Sequence, residues 1–397
     1  MRYHSYLNTA KKIIELYNGT PPLPAFLKFF FAADRKYGSR DRKQIAALCY
    51  HYFRLGKAVE NISIEERILT GTFLCEQSPS EFLQCCKPEW NDMIAKSLQE
   101  KIEWLNFPVQ DIFPWKAELS EGADHQKLCE SFFRQPGLFL RIRPGKKDIV
   151  VKKIKEAGLH FELLQDDCIA LPNSSKLDGI IELDQEAVVQ DLNSQKVLNY
   201  VKDKIDNRQW TMGNEQFPVS CWDCCAASGG KSILVHDTLQ GRVELAVSDI
   251  RENILSNLKK RFASAGITGY RSFTTDLNDA DCQLPIADCQ LIICDAPCTG
   301  SGTWSREPEQ LFYFKPQRIS EFAERQKKIV SNVIPYLQKE GLFFYITCSV
   351  FKKENEEIVE FIKKKFHLQL VQVELLKGFD KLADTMFTAV FKKQVSS

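Results

Sequence analysis

The chain has 397 residues, of which 44% are hydrophobic and 26% are charged, and its formal net charge at pH 7 is +1. This length exceeds what one compact core usually organises, so it predicts two or three globular domains. The hydrophobic content and the small net charge exclude a disordered or uniformly basic chain. The amino terminus shows no signal peptide and no apolar run approaches about 20 residues, so we expect a cytoplasmic protein without a membrane span.

The fourteen cysteines are unusual in number for a protein expected to be cytoplasmic. In a reducing compartment we expect most of them to be buried apolar side chains and one or two to be reactive thiols, without disulfides. Cys221 and Cys224 have the spacing of half a zinc site. No second pair accompanies them, so we expect no metal.

Residues 1–130 have apolar positions at helical spacing and no strand-like alternation, which predicts an all-α domain. The clearest helical stretches are TAKKIIELYNG (9–19), SRDRKQIAALCYHYFRLGKAV (39–59), IEERILTGTFLCEQ (64–77) and PEWNDMIAKSLQEKIEWL (88–105).

Residues 131–205 have a different texture, typical of a small α+β module. GLFLRIRP (137–144) predicts a strand, DIVVKKIKEAGL (148–159) a helix and HFELLQDDCIALP (160–172) a second strand. Residues 134–156 carry eight Lys and Arg against two acids, which suits either phosphate contacts or a solvated face. DNRQWTMGNEQF (206–217) is predicted to be a polar connection.

From residue 217 onward, short apolar runs alternate with helical stretches, which predicts a parallel sheet with helices on both faces. The predicted strands are VSCWDCC (219–225), RVELAVSD (242–249), RSFTTD (271–276), DCQLIICDA (288–296) and GLFFYITCS (341–349). Ligands of such sheets bind beyond the carboxyl ends of the strands, so residues at those ends are the candidates for function.

The stretch CWDCCAASGGKS (221–232) allows three interpretations. A P-loop would need a glycine where Cys225 stands, so that interpretation fails. A redox dithiol should lie exposed at a helix start, whereas Cys221 falls inside an apolar strand. The remaining interpretation is a turn of small residues, Ala226 to Gly230, that lets backbone N–H groups approach a ligand at a helix start.

Acids and thiols at the other strand ends strengthen this interpretation. Asp249 ends the second predicted strand, where an acid can bind both ribose hydroxyls, and Asp276 ends the third, where it can accept from an adenine amino group. Each acid alone could equally be a helix N-cap, but with the glycine turn they predict an adenosine pocket. Asp295, Cys298 and Cys348 end or follow the last two strands and should converge on the same place.

These motifs resemble the signatures of S-adenosylmethionine-dependent RNA cytosine-5 methyltransferases, most of all the Sun/Fmu-type ribosomal RNA methyltransferases and their Nop/Nol relatives. The matching stretches are Asp223–Lys231, Asp295–Gly302, Thr347–Ser349, Val189–Gln195, Arg306–Glu309 and Lys353–Glu357. One departure is Ser228, where the family usually has proline. The resemblance implies an α/β, Rossmann-like methyltransferase domain (206–397), preceded by an all-α NusB-like RNA-binding domain (1–130) and a small α+β RNA-binding module (131–205).

The resemblance also implies roles for individual residues. Cys348 would be the nucleophile toward carbon 6 of cytosine, Asp295 would face ring nitrogen 3, and Cys298 would serve the release step. S-adenosyl-L-methionine would be bound by Cys225, Ala226, Ala227, Ser228, Gly229, Gly230, Lys231, Asp249, Asp276 and Asp295.

The expected partner is RNA, ribosomal RNA before transfer RNA, and the expected state is a monomer. Two rival hypotheses stay open: a non-catalytic RNA-binding assembly factor that keeps the fold, and a P-loop NTPase.

Overall fold

The structure, a computed structural model, describes residues 2–34, 36–165, 167–206, 218–279 and 284–394. The polar connection expected at 206–217 lies outside the described residues except for Asp206. Within these ranges the chain splits into two compact units. Unit 1 comprises Met1–Leu119, Asp124–Gln135 and Thr303–Pro316, and unit 2 comprises Ser120–Ala123, Pro136–Gly302 and Gln317–Ser397.

The α-helices are α1 (Arg2–Leu16), α2 (Leu23–Ala33), α3 (Ser39–Arg54), α4 (Ile64–Cys75), α5 (Glu81–Cys86), α6 (Pro88–Asp92), α7 (Leu98–Leu105), α8 (His125–Ser131), α9 (Lys147–Glu156), α10 (Asn199–Asp206), α11 (Gly230–Thr238), α12 (Glu252–Ala265), α13 (Pro308–Tyr313), α14 (Gln317–Val333) and α15 (Glu356–Phe366). No helix in the described ranges is long and apolar enough to cross a membrane.

The β-strands are β1 (Leu138–Ile142), β2 (Glu162–Gln165), β3 (Cys168–Leu171), β4 (Ala187–Val189), β5 (Val219–Asp223), β6 (Val243–Asp249), β7 (Arg271–Thr274), β8 (Cys289–Asp295), β9 (Leu337–Thr347), β10 (Gln369–Leu376) and β11 (Met386–Lys392).

Unit 1 is helical in its described residues, and it includes a segment from far along the chain, residues 303–316. Three hydrogen bonds join this segment to the amino-terminal helices: Arg54 to the Ser305 carbonyl (3.1 Å), Lys57 Nζ to the Phe312 carbonyl (2.6 Å) and the Leu23 N–H to Glu309 Oε1 (3.2 Å). Glu309 is only 1% exposed, so it accepts from the first turn of α2, where helix N–H groups lack intrahelical acceptors. The stretch Arg306–Glu309 therefore stabilises the helical unit.

The α+β module in unit 2 is a four-stranded antiparallel sheet with the order β2-β3-β1-β4. The single strand expected over 160–172 is wrong, because β2 and β3 fold back on each other and pair Leu163 with Ile169. Arg141 and Arg143 reach from the β1 region to Asp237 of α11, each with an N–O distance of 2.6 Å. This buried ion pair with two arginines ties the module to α11.

The large sheet of unit 2 has the order β10-β11-β9-β8-β5-β6-β7. Strands β5 to β9 are parallel to one another, which confirms the predicted α/β, Rossmann-like arrangement. β10 and β11 extend it as an antiparallel edge. Two apolar clusters cover the two faces. The division at residues 130 and 205 stays a prediction.

Candidate active site

A cavity of about 400 Å³ lies beyond the carboxyl ends of the parallel strands. Its walls include the three acids and two thiols predicted for function: Asp249, Asp276, Asp295, Cys298 and Cys348. They are up to about 100 residues apart in the sequence and meet because parallel strands present their carboxyl ends at one edge of the sheet. The structure thus brings the candidate acids and thiols of the methyltransferase motifs into one site.

The turn after β5 requires a glycine at Gly229. Gly229 has φ +84° and precedes α11, and a Cβ at this position would lie 2.8 Å from the ring of Phe262 and 3.0 Å from Leu258. The next glycine, Gly230, is different, because a Cβ there would meet no heavy atom closer than 4.0 Å. Close packing against α12 therefore selects glycine at the first position and not at the second.

A buried carboxylate supports the same turn. Asp223, the last residue of β5, is fully buried and its Oδ2 accepts a hydrogen bond of 2.6 Å from Ser232 of α11. Burial raises the pKa of Asp223 to about 7, against the effect of the Ser232 hydroxyl. Lys231 of the same helix pairs with a different carboxylate, since its Nζ lies 2.6 Å from Asp295 Oδ2.

Asp295, which lines the cavity, forms an ion pair with Lys231. Burial works against the ammonium charge of Lys231, but the neighbouring Asp295 carboxylate outweighs it and raises the pKa of Lys231. The lysine side chain is 13% exposed and that of Asp295 is 28% exposed. Lys231 is therefore held as a cation next to a carboxylate that lines the cavity.

Asp249, at the end of β6, is held by the turn after β5. Its Oδ2 accepts from the Ala227 N–H at 3.0 Å, and Oδ1 accepts from the backbone N–H and Nε of Arg251, both at 3.0 Å. Burial alone would raise the pKa of Asp249, but the hydrogen bonds from Arg251 and Ala227 hold it below its ordinary value. Asp249 is therefore an ionised acceptor in the cavity wall.

Asp276 lies two residues past β7. Its Oδ1 accepts from the backbone N–H and the side-chain amide of Asn278, at 2.9 and 2.7 Å, and these bonds lower the pKa of Asp276. Asn278 also lines the cavity. This pair offers amide and carboxylate groups at the end of the site farthest along the sheet from β9.

The two candidate thiols touch each other. Cys298 Sγ and Cys348 Sγ are 3.3 Å apart and both face the cavity. The contact with Cys348 and burial raise the pKa of Cys298 well above its ordinary value. Cys298 therefore keeps its proton at neutral pH and can donate it toward the Cys348 sulfur.

Glu354, which follows β9, holds both thiol-bearing loops, and sequence reasoning assigned it no role. Its Oε1 accepts from the Thr299 N–H (2.9 Å) and from Gln326 Nε2 (3.1 Å), and its Oε2 accepts from the hydroxyls of Thr299 (2.6 Å) and Ser349. Thr299 and Ser349 directly follow Cys298 and Cys348. Glu354 is fully buried, and burial raises its pKa. The signal in the sequence was the match of the stretch Lys353–Glu357 to the family, which gave Glu354 no role of its own.

The other residues predicted to bind a cofactor lie around the same turn. Cys225 and Ala227 line the cavity, Ala226 is buried, and Ser228 accepts a hydrogen bond from Arg261 through its carbonyl at 3.0 Å. That these residues contact a cofactor stays a prediction. Cys224 also lines the cavity and, with Cys225, lies close to Cys294, a grouping that the sequence did not reveal.

Comparison with known proteins agrees with this site. Residues 212–390 match the model of the family described as 16S rRNA methyltransferase RsmB/F. A probable ribosomal RNA small subunit methyltransferase B of Synechocystis is 26% identical over 277 residues, which cover 66% of this chain and 58% of that protein. A probable methyltransferase of the same description from Bacillus subtilis is 24% identical, covering 65% of this chain and 54% of that protein. The matched part thus spans less than two thirds of either relative.

Solved structures share the fold at low identity. The crystal structure of PH0851 superposes with a TM-score of 0.69 at 16% identity and covers 97% of both chains. NSun6 from Pyrococcus horikoshii, solved with SFG, superposes with a TM-score of 0.57 at 15% identity, covering 68% of this chain and 94% of that one. The carboxy-terminal part of this chain, residues 212–390, is thus similar to the RsmB/F methyltransferases in sequence, and the solved structures share its fold.

Proposed function

We propose that this chain transfers a methyl group from S-adenosylmethionine to carbon 5 of a cytosine in RNA through a covalent cysteine–cytosine intermediate. The observation that carries the proposal is the pair of thiols, Cys298 and Cys348, 3.3 Å apart in the wall of one cavity. The same cavity holds acids placed for an adenosine. Addition to carbon 6 needs one thiolate, and two thiols in contact can divide addition and release between them.

The residues present fit the proposed cofactor. Asp249 is an ionised acceptor in the cavity wall, as a ribose diol requires, and Asp276 with Asn278 offers acceptor and donor groups for an adenine edge. Gly229 keeps the turn free of a side chain at the start of α11. When bound, S-adenosylmethionine would supply an electrophilic methyl group on a sulfonium.

Cytosine carbon 5 is a poor nucleophile, so the protein must first activate it. We assign Cys348 to addition: its sulfur would form a bond to carbon 6, which gives carbon 5 enamine character. After methyl transfer, the proton on carbon 5 leaves to a base and the carbon–sulfur bond breaks, which returns the Cys348 thiolate. Cys298, whose sulfur lies 3.3 Å from that of Cys348, is assigned to this release step on the family resemblance.

Addition to the ring builds negative charge on the base, and Asp295 and Lys231 are placed to stabilise it. Lys231 is held as a cation 2.6 Å from Asp295, and Asp295 lines the cavity. Asp295 would then face the ring nitrogen 3 edge of the base, and the ammonium of Lys231 beside it would supply a compensating positive charge. To reach this cavity the target cytosine must leave its stack, because carbon 5 and carbon 6 are not accessible inside a helix.

The substrate class follows from the relatives. The proteins from Synechocystis and Bacillus subtilis are described as probable ribosomal RNA small subunit methyltransferases, so we propose a ribosomal RNA substrate, with transfer RNA as the alternative. Bisulfite sequencing of total RNA from cells with and without the gene would identify the modified cytosine. Loss of a site in transfer RNA alone would overturn the ribosomal assignment.

The catalytic proposal is tested with Cys298→Ser. If Cys298 serves release, this variant should accumulate a covalent protein–RNA adduct that denaturing gels resolve, and the adduct should vanish when Cys348 is also replaced. No adduct with cellular RNA would favour the rival hypothesis, a non-catalytic RNA-binding factor. Tight ATP binding without S-adenosylmethionine binding would favour the second rival, a P-loop NTPase.

A further inference from the structure

A second cluster of sulfur atoms lies beside the cavity, separate from the Cys298–Cys348 pair. The Sγ atoms of Cys224, Cys225 and Cys294 all lie within 4.8 Å of one another, and all three are free thiols. Strand pairing explains the grouping. β5 and β8 are parallel and Asp223 lies opposite Ile293, so the residues that follow these two, Cys224 and Cys294, are also neighbours.

The three thiols differ in their access to the cavity. Cys294 is fully buried and Cys224 is 1% exposed, and both belong to the apolar cluster under this face of the sheet. Cys225 is partly exposed and, with Cys224, lines the cavity. The cluster is therefore closed on the side of the core and reachable from the cavity.

From this geometry we propose that Cys224, Cys225 and Cys294 form a binding site for a thiophilic divalent d¹⁰ cation, Zn²⁺, with a fourth position facing the cavity. A zinc–sulfur bond is about 2.3 Å, so sulfurs that share a tetrahedral zinc lie roughly 3.8 Å apart. Sulfurs already within 4.8 Å reach that spacing by shifts of an ångström or less. The pair Cys221 and Cys224, which has the zinc-type spacing in the sequence, cannot contribute jointly, because these residues pack in clusters on opposite faces of β5.

Charge favours a divalent ion over a monovalent one such as Cu⁺. Three thiolates around Zn²⁺ carry a net charge of −1, whereas the same ligands around Cu⁺ carry −2. An uncompensated charge in an apolar environment is costly, so the zinc complex, with the smaller net charge, is favoured.

Cys224 and Cys225 belong both to this metal site and to the wall of the cavity, so an ion bound here would change the affinity of the cavity for its ligand. A cation held by these three sulfurs would fix the carboxyl ends of β5 and β8 relative to each other, and it would replace the Cys225 thiol in the wall by a charged group. This consequence alone rests on the proposed function, since it concerns the affinity for S-adenosylmethionine. The metal site itself does not depend on that function.

The test measures metal binding by the full-length protein without RNA or cofactor. Protein stripped of metal by a chelator is dialysed against Zn²⁺ and, separately, against Cd²⁺, whose sulfur-to-metal charge-transfer absorption reports thiolate ligation. We expect one ion per chain. Cys294→Ala should weaken binding by more than about 100-fold, beyond the 10–100-fold that loss of an outer-shell partner costs.

Matched controls separate this site from the other thiols. Cys221→Ala, on the opposite face of β5, and Cys289→Ala, elsewhere on β8, should bind the ion as wild type does. The double variant Cys298→Ser, Cys348→Ser should also bind it while losing adduct formation. If Cys294→Ala fails to fold by circular dichroism, Cys225→Ala, at the half-buried position, provides the same comparison.

Three outcomes would overturn the proposal: no ion bound at micromolar Zn²⁺ or Cd²⁺, binding that survives Cys225→Ala and Cys294→Ala, or binding that disappears in the Cys298, Cys348 double variant. Absence of methylation would leave the metal result unaffected, so failure of the metal site and failure of the proposed function are distinguishable.

Discussion

Replacement of Glu354 tests whether one buried carboxylate positions both reactive thiols. The carboxylate accepts four hydrogen bonds, two from groups that can only donate, the Thr299 N–H and Gln326 Nε2, and two from the hydroxyls of Thr299 and Ser349. The hydroxyls have other partners, because the side chains of Thr299, Ser301 and Ser349 lie 3.2–3.4 Å from one another. Glu354→Ala should therefore leave two donors without an acceptor.

The expected magnitude follows from these two donors. A buried donor left unsatisfied costs about 1–3 kcal/mol, so Glu354→Ala should lower the free energy of unfolding by about 2–6 kcal/mol. Glu354→Gln should cost less than about 1.5 kcal/mol, because the amide oxygen can replace Oε1 and the amide NH₂ can donate to the two hydroxyls, which rotate to accept. Urea unfolding monitored by circular dichroism measures both differences.

Activity provides the second measurement. Because Glu354 fixes the residues after Cys298 and Cys348, the Ala variant should lose about 100-fold in kcat even where it remains folded, as expected for misplacement of reacting groups by about 1 Å. The Gln variant should stay within about tenfold of wild type. Equal destabilisation by Ala and Gln would refute the assignment of acceptors, and an Ala variant with wild-type kcat would refute the positioning role.

Three further predictions concern the pH dependence of stability, the glycine turn after β5 and Asp249, the acid assigned to the ribose. Burial raises the pKa of Glu354 above its ordinary value of 4.5, so its contribution to stability is full below pH 4.5 and is lost as pH rises through the raised value. Urea titrations at several pH values should therefore show Glu354→Gln gaining stability relative to wild type as pH increases, and a constant difference would contradict the shift. Gly229→Ala should destabilise by about 2–4 kcal/mol through positive φ and contact with Phe262, whereas Gly230→Ala should be neutral or stabilise by up to about 1 kcal/mol. Thermal unfolding of the two variants tests this, and equal effects would refute it. Asp249→Asn should weaken S-adenosylmethionine binding by about 5–100-fold in calorimetry, because a charged acceptor is worth about 1–3 kcal/mol more than a neutral one, and unchanged affinity would remove Asp249 from the ribose site.

Much of the catalytic domain follows from local sequence. Apolar runs of strand length alternate with helical stretches from residue 217 onward, and this period predicted the five parallel strands that the structure contains. The same pattern placed Asp249, Asp295 and Cys348 at strand ends, because the last apolar residue marks where a strand leaves the core. Convergence of these residues then followed from the general geometry of parallel sheets.

Predictions failed or were incomplete where pairing between distant segments decides the outcome. The stretch 160–172 looked like one strand, but a reversal between β2 and β3 divides it. Residues 303–316 belong to the helical unit although strands of unit 2 precede and follow them, because Glu309 and its neighbours bond to α2 and α3. No local pattern reports such a contact.

The sequence alone determined which residue types stand at the strand ends, and so which chemistry the site can perform. Only the tertiary structure decided which side chains contact each other. Lys231 pairs with Asp295 rather than Asp223, and Glu354 accepts hydrogen bonds from both thiol-bearing loops. Cys294 lies next to the two cysteines after β5. The physical reason is that strand ends depend on local period, which the sequence records, whereas hydrogen bonds and sulfur contacts depend on the register between strands and on side-chain direction, which are settled only when the sheet is packed.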